Sequence, residues 1–193
     1  MGKKKNYEQQ TASDDSKTHK VLISHCESDK LFAGEIVNLF EEMGIPDELI
    51  VCTSAVGHGV PGEERIYDWI KKQFTDCKLR IVFVLSHNYY KSSACLNEMG
   101  AAWVVGSAST VFLLPGFDFE DIKGCLDSTK SGISLASDDE ELRYRLDELK
   151  DKLITEFSLP EPPHSRWVKY RDSFIGTIKN KQTKEIEGKM QIG

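Results

Sequence analysis

The chain has 193 residues, enough for one ordinary domain with modest tails, and its composition is that of a globular protein. With 25 basic against 31 acidic residues the net charge is −6, which argues against nucleic acid as a main partner because phosphate binding favours a basic face. The longest apolar runs, Leu79–Leu85 and Ala101–Val105, are too short to span a bilayer, so no membrane association is expected.

Residues 1–19 are polar and nearly free of apolar side chains, and read as a flexible tail. Lys20–Ser24 is a short apolar run, a buried strand. Asp29–Met43 places Leu31, Phe32, Ile36, Leu39, Phe40 and Met43 at helical spacing, with Gly44 as C-cap and Pro46 as the stop. Leu49–Thr53 reads as a second strand, Ser54–Glu64 as a glycine-rich loop, and 63–75 as a helix carrying Ile66, Trp69, Ile70 and Phe74. Leu79–Ser86 is the most strand-like stretch, apolar and β-branched without a break over Ile81–Leu85, as in the centre of a parallel sheet. A helix follows over Ser92–Gly106, with Ser92 or Ser93 as N-cap. Thr110–Leu114 is a fourth strand and Gly132–Leu135 a short edge strand. Asp138–Phe157 is an amphipathic helix with Leu142, Leu146, Leu149, Leu153 and Phe157 in one stripe. Residues 158–193 read as a proline-rich hinge, a helix over Arg166–Lys179 that docks on the domain or on a second copy, and a frayed polar end.

The β-α-β alternation calls for a parallel sheet wrapped by helices, joined by right-handed crossovers. In the flavodoxin-like order 2-1-3-4-5, ligands lie where strand order reverses, between the ends of strands one and three. Those ends are Ser24-His25 and Ser86-His87, and the 92–106 helix begins just after the second. That helix carries a single carboxylate, Glu98, in line with Ala94, Ala101 and Val105. An acid on an apolar stripe is costly to ionise without compensation. Pattern alone leaves two readings open, a chemical role and a carboxylate favoured by the helix dipole.

Other motifs carry less. Gly57–Gly62 matches GxGxxG, but it follows the second strand. Glu63 and Glu64 would also repel a pyrophosphate at the helix start. Ser24, His25 and Asp29 could be arranged as a triad, yet no nucleophile elbow accompanies them. His25 and Cys26 point to opposite faces of an extended chain. Cys95, near a helix N-terminus, is either a lowered-pKa thiol or a packing residue. The five cysteines form no CxxC and no zinc spacing, and no leader-like segment precedes them. Reduced thiols, a cytoplasmic location and no bound metal are therefore expected.

The segments Lys20–His25, Asp29, Ser54–Glu64 and Val84–Glu98, in this order and spacing, resemble a bacterial TIR (Toll/interleukin-1 receptor) domain over about Lys20–Phe157. The pattern Ser92-x-x-Cys95-x-x-Glu98 and the Leu114-Pro115-Gly116 strand end carry much of the likeness. The resemblance implies a flavodoxin-like α/β fold with a central parallel sheet. It makes Ser54–Glu64 the BB loop, which controls site access and self-association. It also implies cleavage of NAD⁺ as substrate at the nicotinamide–ribose bond, with no separate cofactor. Glu98 would be the essential carboxylate, and Ser24, His25, Cys26, Ala55, Gly57, His58 and Gly59 would line the nucleotide site. Implied partners are further copies of the chain and a downstream effector that senses a nucleotide product in anti-phage defence. Two features depart from the family: Ala94 stands where many members carry an aromatic, and Cys26-Glu27 where some carry an arginine. Trp103 either replaces the missing ring or belongs to the core. The alternatives are a non-catalytic TIR interaction module and a nucleoside transferase using Glu98 as nucleophile.

Overall fold

The computed structural model describes residues 17–126 and 132–190, apart from 56, 61 and 63. The tail expected over 1–19 falls mostly outside that range, but its last two residues already belong to a strand. In chain order the elements are β1 (Thr18–His25), α1 (Lys30–Met43), β2 (Ile50–Val51), α2 (Ile66–Asp76), β3 (Cys77–Leu85), α3 (Ser93–Val105), β4 (Ala108–Leu113), β5 (Ile133–Ser134), α4 (Asp139–Phe157) and α5 (His164–Met190). The strands form one parallel sheet in the order β2-β1-β3-β4-β5, the flavodoxin-like order.

Alternation along each strand builds a core on both sheet faces. Val21 and Ile23 of β1, with Val82 and Val84 of β3, meet α1, α4 and α5. Leu22, Ile81, Phe83 and Leu85 meet α2 and α3. Every residue from Leu79 to Leu85 is buried, Arg80 included, which is why Ile81–Leu85 shows no polar alternation. Each large apolar side chain so buried contributes roughly 1.5–3 kcal/mol before chain entropy is subtracted.

Several boundaries move from those the sequence predicts. Strand two shrinks to two residues, because Cys52 leaves the ladder and its N–H donates to the His58 carbonyl (2.9 Å). The second helix begins at Ile66, so Glu64 precedes it and pairs instead with Lys72 (3.3 Å). The polar C-terminal stretch continues as helix to Met190, where a frayed end is expected. Propensity and length favour that continuation, since Lys, Gln and Glu are good helix formers. The base of α5 packs Trp167, Phe174, Ile175 and Ile178 into the same core as α1 and α4. It is held there by Arg171 on Asp147 (2.8 Å), Trp167 Nε1 donating to Asp147 (2.6 Å) and Lys181 on Glu35 (3.3 Å).

The apolar stripe of α3 is also displaced. Its buried line is Cys95, Met99 and Ala102, not Ala94–Glu98–Ala101–Val105. Glu98 lies at the edge of that line and is partly buried, and Val105 is 55 % exposed. No helix among the described residues is long and apolar enough to cross a membrane.

Candidate active site

Parity decides what the end of β1 presents. Ser24 shares a face with Leu22 and points towards α3, whereas His25 shares a face with Ile23 and turns to the α1 side. Ser24 is buried and its hydroxyl donates to Glu98 Oε2 at 2.6 Å. The Tyr89 phenol lies 2.8 Å from the same Ser24 oxygen and 3.0 Å from the Cys95 carbonyl. Ser92 caps α3, its hydroxyl accepting from Cys95 N–H, and this anchors the helix one turn before Glu98. A carboxylate at the carboxyl ends of β1 and β3 thus has a neutral hydroxyl partner and no ion pair among the described residues. Burial raises the Glu98 pKa above the ordinary carboxylate value, and the Ser24 hydrogen bond works against that rise.

The same end of the sheet is braced by Asp29, which is buried and accepts from the Ser86 hydroxyl. Ser86 in turn accepts from the N–H groups of Asn88 (3.1 Å) and Tyr89 (3.0 Å), so Asp29 sets the turn that carries Tyr89. A Ser24/His25/Asp29 triad does not form. His25 Nε2 lies 2.6 Å from Ser54 Oγ, Ser24 serves Glu98, and Asp29 serves Ser86. Burial lowers the His25 pKa, which keeps the ring neutral at pH 7. Cys95 is a packing residue: its thiol donates to the His25 carbonyl (3.4 Å), and burial pushes its pKa up to about 11. Cys26 accepts from Ser28 Oγ (3.5 Å) beside β1.

The expected site residues divide into three groups. Ser24 and Glu98 are in direct contact, and His25 ties β1 to the start of the glycine-rich loop through Ser54. Ala55 and His58 belong to a cleft on the far side, against Lys30, Leu31 and Gly34 of α1. His58 is buried there, with Nε2 2.7 Å from Glu41 Oε1 and Nδ1 3.2 Å from the Asp47 carbonyl. Gly57 has a φ of 88°, a conformation that favours glycine, and Gly59 brings the loop backbone against the Thr53 carbonyl. Trp103 does not meet Glu98. Five residues along a helix rotate about 140°, and Trp103 lines a separate cleft with Met99, Ala102 and Cys125. It is 66 % exposed, so it is not a core residue either.

Tyr89 is the residue that sequence reasoning passes over. Its signal is spacing: it lies one short turn after β3, three residues beyond Ser86, where its side chain reaches back under α3. No group of three or more His, Cys, Asp or Glu among the described residues is arranged to hold a metal.

No known protein-family model matches the chain. It is similar to the uncharacterized protein YddK of Bacillus subtilis (strain 168), 37 % identical over 160 residues that cover 83 % of this chain. The matched region is 57 % of the length of YddK, so the chain spans little more than half of that relative.

Proposed function

We propose that the chain is a TIR-type enzyme that cleaves NAD⁺ at the nicotinamide–ribose bond, with Glu98 as the essential carboxylate. The observation that carries this reading is the Ser24–Glu98 hydrogen bond of 2.6 Å at the carboxyl ends of β1 and β3. That is where open α/β sheets bind ligands. The motif order of the sequence supports the same assignment.

One acid suffices for the reaction. The ribose C1′–N bond breaks and its electron pair goes to the pyridinium nitrogen, so nicotinamide leaves neutral and needs no protonation. The sugar becomes oxocarbenium-like, and an ionised Glu98 stabilises the positive charge and positions the ribose hydroxyls. Water or a hydroxyl then adds at C1′ and releases a proton. A partly buried carboxylate is effective because few water molecules compete with the developing charge. The product is ADP-ribose or a cyclised or transferred form of it, which a downstream effector reads in anti-phage defence. Self-association through the glycine-rich loop and helix surfaces brings copies together, in the cytoplasm.

A second reading has its own observation. The outer surface of α3 exposes Trp103, Val104 and Val105, and α2 exposes Ile66 and Tyr67. Apolar surface of that kind suits a TIR interaction module without catalysis. Incubating the purified protein with NAD⁺ and measuring nicotinamide, beside Glu98→Gln, separates the two. Nicotinamide release that disappears in Glu98→Gln supports the enzyme. No release at protein concentrations high enough for assembly supports the module.

A further inference from the structure

Three short contacts join Glu98, Ser24, Tyr89 and the Cys95 carbonyl, at 2.6, 2.8 and 3.0 Å. With Glu98 ionised, the two hydroxyls hold only two protons for those three contacts. The shortest contact is charge-assisted and takes the Ser24 proton. The Ser24 oxygen then presents only lone pairs to Tyr89, so the phenol proton fills the 2.8 Å contact. The Cys95 carbonyl loses little, because it is already part of the α3 hydrogen-bond ladder.

We propose that Tyr89 is a positioning residue for Glu98, its phenol fixing the Ser24 hydroxyl so that the serine proton points at the carboxylate. The chain runs Tyr89 to Ser24 to Glu98, and each donor polarises the next. When Glu98 takes up a proton the direction can reverse. Glu98 then donates to Ser24, Ser24 to Tyr89, and Tyr89 to the Cys95 carbonyl. The phenol has an acceptor waiting in either state. Packing alone would not need this hydroxyl: Tyr89 is fully buried, and a phenylalanine would fill the same space. The surroundings leave the chain undisturbed. His25 on β1 is kept neutral by burial, the Cys95 thiol on α3 is protonated, and the Asp29 carboxylate is engaged by Ser86. Burial likewise raises the Tyr89 pKa, so the phenol keeps its proton.

The inference deepens the catalytic reading of Glu98, yet its test does not use NAD⁺. The midpoint of the Glu98 titration is followed by the ¹³C shift of its carboxyl carbon, assigned by difference from Glu98→Gln. Ser24→Ala should raise the midpoint, and Tyr89→Phe should raise it by a smaller amount. The double variant should titrate with Ser24→Ala, because Tyr89 acts only through the serine. 3-Fluorotyrosine at position 89, a stronger donor of the same shape, should lower the midpoint. An unchanged midpoint in both Tyr89→Phe and the fluorotyrosine protein would overturn the proposal. So would a Tyr89→Phe shift that persists undiminished in the Ser24→Ala background. If NAD⁺ is never cleaved, the enzyme reading fails while these titrations still decide the role of Tyr89.

Discussion

Ser24 and Glu98 are 74 residues apart in the chain and 2.6 Å apart in the fold. The serine is the penultimate residue of an inner strand and the glutamate sits on the second turn of a helix, with no charged partner among the described residues. Opposing effects act on the carboxylate: burial disfavours its charge and the hydroxyl favours it. This balance leads to the first expected outcome. The folded-state pKa of Glu98 is raised above the unfolded value, so the native protein binds a proton more tightly than the unfolded chain does. Ionisation therefore destabilises the fold at pH values above the folded pKa, and that penalty is absent below the unfolded value. Glu98→Gln should unfold at a higher temperature than the parent at pH 7. The gap should close as the pH falls to about 4, the usual carboxylate range. A constant gap across that range would contradict the assignment.

His58 places both ring nitrogens against acceptors, Glu41 Oε1 and the Asp47 carbonyl, and so fastens the glycine-rich loop to the end of α1. His58→Ala should cost about 1–2 kcal/mol, the usual loss for buried hydrogen-bond partners. It should also speed amide hydrogen exchange at Cys52 and His58, whose backbone bonds close the loop. Unchanged exchange there would mean that the side chain is not the fastening.

Arg80 is buried at the start of β3, where its guanidinium bonds to Glu156 of α4 and to Thr110 Oγ1 (3.1 Å). Removing the cation alone leaves a carboxylate without its charge partner. Arg80→Ala should lower stability by roughly 3–5 kcal/mol in denaturant unfolding. The double variant Arg80→Met/Glu156→Leu should recover much of that loss, because burying two apolar groups avoids the desolvation of both charges.

Ser158 ends α4 with a φ of 53°, and it is the non-glycine residue with positive φ among the described residues. A left-handed backbone costs a residue with a side chain about 1 kcal/mol. Ser158→Gly should therefore raise the unfolding free energy by up to about 1 kcal/mol, with the α4–α5 connection unchanged. A loss of stability would show that the Ser158 side chain makes a contact worth more than the strain.

Much of this molecule is legible in the order of its residues. Apolar periodicity identifies α1 and α4, and the continuous run at Leu79–Leu85 identifies the central strand, because local burial repeats with the geometry of each element. The alternation of elements implies the parallel sheet, and Gly44 and Ser92 mark helix ends by local hydrogen bonding. Glu98 stands out because it is the lone charge on its helix. Which residues meet it is a different kind of fact. Strand parity and crossover packing send Ser24 to Glu98, His25 to Ser54 and His58 to Glu41. They also turn Trp103 away and bring Tyr89 in. Those contacts depend on how a helix is rotated about its axis and which sheet face it covers. The sum of packing over the whole core sets both, so only the tertiary structure decides them.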